Sequence, residues 1–185
     1  MNRFALLALG VLSFGVGAFA QTPAADDPAI ATPLLALPAN LREGAGVVKW
    51  KPDHTYDTLK KSTNNMVCYD RSGFPLQNPF SVECTDMRNL DRAKQNMEAE
   101  ALGDKAKSEA KLTEEEKAGT RVKPVFGSVW YHLMGPSKEQ ARTHMTIAMP
   151  GATQATVGLP ENGRAGGVWI MNAGTTTAHL MTPGE

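Results

Sequence analysis

The chain has 185 residues, 19 basic against 19 acidic side chains, two cysteines and a hydrophobic share of 42%. That length and apolar content suit one domain with a real core. The balanced charge leaves no electrostatic footprint for nucleic acid or for an anionic lipid surface.

The chain opens on an address. Asn2-Arg3 make a short basic stretch, Phe4 to Gly17 run almost wholly apolar, and Ala18-Phe19-Ala20 has the small-x-small pattern of a signal-peptidase site. This predicts a bacterial-style signal peptide over 1–20 and export to a periplasm or beyond the cell. The apolar run is too short for a membrane span, and no second run approaches the ~20 residues a span needs. Neither a lipid-anchor cysteine nor a twin arginine accompanies it. Residues 21–33 are Pro/Ala-rich without a period, which predicts a disordered leader. Residues 34–185 are then a single α+β domain.

Gly46–Trp50 has the look of a short strand ended by Pro52, and Asp57–Lys61 of a turn or short helical piece. Met66–Asp70 and Phe80–Cys84 are extended candidates. Each carries one cysteine, and an even pair in an exported chain predicts a Cys68–Cys84 disulfide. The bridge would pin the two segments side by side, or pin one to the start of the next helix. From Asp86 to about Leu112 the residues are strong helix formers, with Leu90, Ala93, Met97 and Ala101 as a thin apolar stripe. This predicts one long surface helix, with Gly103-Asp104 as a candidate break. Its Lys/Glu mixture has the character of a solvated face. Thr113-Glu114-Glu115-Glu116 has a capping-box pattern for a further short helix.

After Pro124 the pattern turns to strands, at Val125–Met134, Thr143–Met149, Gly167–Met171 and Thr176–Met181. Strands, a helical segment and strands again give an α+β fold on a mostly antiparallel sheet.

Chemistry has one repeated feature, His-Leu-Met, at 132–134 and again at 179–181. Alternation on a strand puts His132 and Met134 on one face, and likewise His179 and Met181. Were the two strands neighbours, imidazole and thioether ligands would meet in a set suited to copper, Cu(I) above all. A packed core would give the same pattern, because Met fills gaps and a half-buried His bonds to backbone. His144 lies between the repeats and is a candidate binding group with His132 and His179. Asn172 to His179 gathers an amide, hydroxyls and an imidazole on a turn, which adds Asn172 and Thr175 as candidates. No Gly-x-Ser-x-Gly, zinc-protease or phosphate-loop motif is present.

Leu37-Pro38-Ala39, Thr63-Asn64-Asn65-Met66-Val67-Cys68, Gly166-Gly167-Val168-Trp169-Ile170-Met171 and Ala178-His179-Leu180-Met181-Thr182-Pro183 together resemble a group of uncharacterised exported bacterial proteins. The resemblance implies export and one domain, and transfers no activity to any residue. Two functions follow as expectations. The favoured one is a non-catalytic module that binds an unknown protein or small-molecule ligand. The alternative is copper handling through His132, Met134, His179 and Met181, or a hydrolase using one of the C-terminal histidines. The two differ in whether the histidines converge in an open cleft.

Overall fold

A computed structural model describes residues 27–182. The predicted signal peptide and residues 21–26 lie outside them.

Eight strands form one sheet. They are β1 (Gly46–Trp50), β2 (Tyr56–Lys60), β3 (Met66–Asp70), β4 (Phe80–Asp86), β5 (Val129–Gly135), β6 (Arg142–Ala148), β7 (Trp169–Met171) and β8 (His179–Met181), in the order β2-β1-β3-β4-β5-β6-β8-β7. The α+β class is as expected. The sheet is mixed, because β1 and β3 run parallel while the other neighbours are antiparallel. The turn or helical piece expected at 57–61 is the edge strand β2 instead. It alternates Tyr56, Thr58 and Lys60 with Asp57 and Leu59, and hydrogen-bonding to β1 overrides its polar composition.

Cys68 and Cys84 face each other on one β3–β4 rung and are disulfide-bonded. The bridge therefore lies strand to strand, the first of the two expected arrangements.

The single long surface helix is not observed. Two shorter helices stand in its place, α3 (Leu90–Glu100) and α4 (Lys105–Ala118). Gly103 takes φ 65°, where glycine carries no Cβ penalty. Asp104 then caps α4 by accepting from the Lys107 N–H at 2.9 Å. Thr113–Glu116 lies inside α4 and starts no new helix. Gly119, at φ 69°, ends α4 in the left-handed cap. The stripe holds at Leu90, Ala93 and Met97 and stops short of Ala101, which is exposed.

Residues 27–33 correct the expectation of a disordered leader through 33. Asp27 caps α1 (Pro28–Ala31), a 3-10 turn follows over Pro33–Ala36, and α2 (Ala39–Arg42) precedes β1. The physical reason lies in the sheet. Strands β1, β3 and β4 are buried on both faces, so both faces are covered. Ile30, Ala36 and Leu37 cover one, packing on Val47, Val82 and the disulfide. On the other face, Leu90, Ala93 and Met97 of α3 pack on Val48, Trp50, Val67, Tyr69 and Trp130. A third, smaller core of Ala152, Ile170 and Ala178 supports β7 and β8.

Asn89 joins the α3 face to the strands. It is fully buried, gives both amide hydrogens to the Thr85 and Ser128 hydroxyls, and accepts from the Val125 N–H. All three bonds cross between segments, so this side chain fixes where α3 begins relative to β5.

Candidate functional site

The α3 face of the sheet carries the site. Glu83 of β4 lies opposite His132 of β5, and His132 opposite His144 of β6. Residues on one rung share a face, so the carboxylate and both imidazoles stand side by side. The His132 and His144 rings are 5.8 Å apart. On β8, His179 pairs with Ala148, two residues beyond Thr146 on the same face of β6. All three histidines line one cavity of about 380 Å³ between the sheet and the helical layer. The helical wall contributes Arg92, Asn96 and Glu100, at four-residue spacing on one face of α3. Arg121, just beyond α4, closes it.

The cavity has an acidic end and a basic end. At the acidic end Arg71, buried on the strand side, bonds Glu83 at 3.1 Å and also bonds Glu100. Gln77 donates to the same Glu100 oxygen at 2.8 Å. Burial works against the Arg71 charge, but the two carboxylates outweigh it and hold the guanidinium charged. Burial lifts the Glu100 carboxyl above its ordinary value despite Arg71. Tyr69, one strand further on, is fully buried against Glu83, and among the described residues its hydroxyl has no hydrogen-bond partner.

At the basic end Arg92 is only 4% exposed. It donates to the Val122 carbonyl and to the Thr176 and Thr177 hydroxyls, all neutral. Among the described residues no carboxylate lies within ion-pair distance of it. Burial, reinforced by the charge of Arg121, pushes its pKa down to about 10. Arg121 bonds the side-chain oxygens of Gln95 and Asn96 and stands 3.7 Å from Glu115.

The histidines sit between the ends. His132 Nδ1 is 3.7 Å from Glu83. Burial depresses its pKa, Glu83 opposes that, and His144 reinforces it. His179 Nδ1 lies 2.7 Å from the Thr177 carbonyl, so the neutral ring carries its proton there and leaves Nε2 as an acceptor. Its pKa is lowered too, by burial first, against the Thr177 bond.

The topology separates the residues of the copper set. β6 separates the two His-Leu-Met strands. Met134 pairs with Arg142 and Met181 with Thr146, so their Cα atoms are about 16 Å apart at ~3.3 Å per residue and ~4.8 Å per strand. Neither thioether lines the histidine cavity. His132 and His179 are offset by the same count, so His132, Met134, His179 and Met181 do not form one coordination sphere. Among the described residues no three His, Cys, Asp or Glu side chains are grouped to hold a metal ion. The hydrolase reading gains no nucleophile either. Among the described residues no hydroxyl is hydrogen-bonded to a histidine ring.

Asn172 and Thr175 do not join the histidines. They line a neighbouring cavity of about 610 Å³ with Glu109, Glu116 and Lys117. Asn172 sits at φ 55°, a conformation Asn tolerates. Thr175 Oγ1 donates to its carbonyl at 2.8 Å and accepts from the Thr177 N–H, closing the turn. Thr177 reaches both cavities, so this turn sets the basic wall without supplying it.

Sequence reasoning missed Glu83, Arg92, Glu100 and Arg121. The Lys/Glu-rich composition of 88–117 assigns Arg92 and Glu100 to solvent. The spacing of Arg92, Asn96 and Glu100 beside the apolar stripe was the available signal.

Compared with known families, curated proteins and solved structures, the chain matches none.

Proposed function

We propose that this is an exported, non-catalytic binding protein whose histidine-lined cavity takes a small organic anion. The observation that carries the reading is Arg92. A buried guanidinium beside a cavity is held directly by three neutral oxygens, with its nearest carboxylate, Glu116, one hydroxyl away behind Thr176, so it has no direct charged partner among the described residues. A carboxylate arriving there makes the charge-assisted bonds that the protein does not supply. His179 and Arg121 line the same end. The cavity also lies within the ~300–1,000 Å³ range of small-molecule sites. Export rests on the sequence of residues 1–20, and the disulfide is compatible with it.

Calorimetric titration at low salt with N-acetylated di- and tripeptides, which carry one carboxylate, tests the reading. Saturable binding that weakens at least tenfold in Arg92→Gln is expected. Wild-type protein that binds no such anion, or binds peptide amides equally well, would sink it.

A further inference from the structure

The two ends of the cavity are built around opposite charges, and their separation is set by α3. At the acidic end one guanidinium, Arg71, serves two carboxylates, Glu83 and Glu100. That end is one positive charge short. Glu100 Oε2 is taken by Arg71 and Gln77, whereas its other oxygen has no partner among the described residues. At the basic end Arg121 stands in ion-pair range of Glu115, whereas Arg92 has no carboxylate in direct contact among the described residues, Glu116 being held one hydroxyl away on Thr176.

Arg92 and Glu100 are eight residues apart on one helical face, about 12 Å between Cα atoms at ~1.5 Å per residue. The sheet repeats the polarity under the helix. Glu83 is on β4 beneath the acidic end and His179 on β8 at the basic end, with β5 and β6 between them. Hydrogen-bonding side chains fill the middle. Asn96 Oδ1 is occupied by Arg121, leaving its amide hydrogens for an acceptor, and His132, His144 and Thr146 stand opposite.

We infer that the ligand is an extended zwitterion, with a carboxylate at Arg92 and an ammonium at Glu100 roughly 8–10 Å away, the span of a three-residue peptide with free ends. This rests on the anion-binding reading and adds the second charge and its distance. An α-amino acid is too short to reach both ends. A long ω-amino acid shares the required chemistry with a tripeptide, and the mid-cavity Asn96 favours the peptide.

The test is calorimetry at pH 7 and low salt on the purified protein with four probes: trialanine, 8-aminooctanoate, N-acetyl-trialanine and trialanine amide. Trialanine or 8-aminooctanoate is expected to bind at least tenfold more tightly than either blocked peptide. Binding of the first alone identifies a peptide site, and of the second alone an ω-amino acid site. In Glu100→Gln, judged folded by its melting transition, trialanine and N-acetyl-trialanine are expected to bind alike. N-acetyl-trialanine binding as tightly as trialanine to wild type overturns the zwitterion and leaves the anion site standing. Trialanine amide binding as tightly as trialanine overturns both, as does no binding by any probe.

Discussion

Arg71 shows how a single side chain sets the character of the site. It is 5% exposed, and Glu83 is 3% exposed. Two charges at that depth are tolerable only because each answers the other. Removing one leaves a buried charge alone. Arg71→Met is therefore expected to destabilise the fold by about 3–5 kcal/mol in urea unfolding at pH 7. A loss below about 1 kcal/mol would mean that water already reaches Glu83. None of this was visible in the residue list. Arg71 precedes Ser72-Gly73 and carries the marks of a turn residue. Only the return of β4 and the packing of α3 bring Glu83 and Glu100 to it. The three histidines were more legible. Alternation along β5 and β8 placed His132 with Met134 and His179 with Met181, whereas the face shared by the three histidines and the place of β6 between them could not be read from spacing.

At the scale of elements, the disulfide and the helix pair carry opposite lessons. Cys68 and Cys84 lie on a directly paired rung, 16 residues apart in sequence. Closing a loop of that length constrains the unfolded chain by about 3 kcal/mol in the entropy model. Cys68→Ala with Cys84→Ala is expected to lower unfolding free energy by at least that amount, since both sulfurs also fill the core beneath Leu37. Equal midpoints for the double variant and the oxidised protein would contradict it. Strands β1, β3, β4, β5 and β6 all lie close to where hydrophobic patterning puts them. β2 was misplaced because its side chains are exposed at a sheet edge, where backbone pairing and not burial defines the strand. The helices divide where glycine and aspartate suggest. What failed is the assignment of their polar face to water, because composition cannot tell a solvated arginine from one roofed by Thr176 and Thr177.

At the scale of the whole molecule, the buried histidines couple stability to pH. His132 and His179 have pKa values below that of an unfolded histidine, chiefly through burial. Below about pH 6.5 the unfolded chain therefore binds more protons than the folded one, and stability falls as pH drops toward the native values. Above that range both states are neutral and the contribution is flat. The groups facing His132 act on both sides. Glu83 favours its charge, while His144, Arg71 and His179 oppose it. Glu100, lifted by burial, protonates more readily when folded and offsets part of the loss. The expected outcome is a melting temperature that declines between pH 7 and pH 5 in wild type and declines less in His132→Gln. Parallel profiles for the two proteins would show that His132 is not the source.

The sequence by itself determined the local grammar of this protein. It set the strand periods, the cysteine pair, and the helix-forming stretch and its break. These depend on neighbours within a few residues, where alternation, capping and backbone sterics act. Tertiary structure alone decided that β4, β5, β6 and β8 lie near one another, that Arg92 and Glu100 are roofed instead of solvated, and that Ile30 to Leu37 cover a second apolar face. Those outcomes depend on which distant surfaces are buried together. The cost of burying a charge is set by partners far along the chain, and no local pattern encodes them.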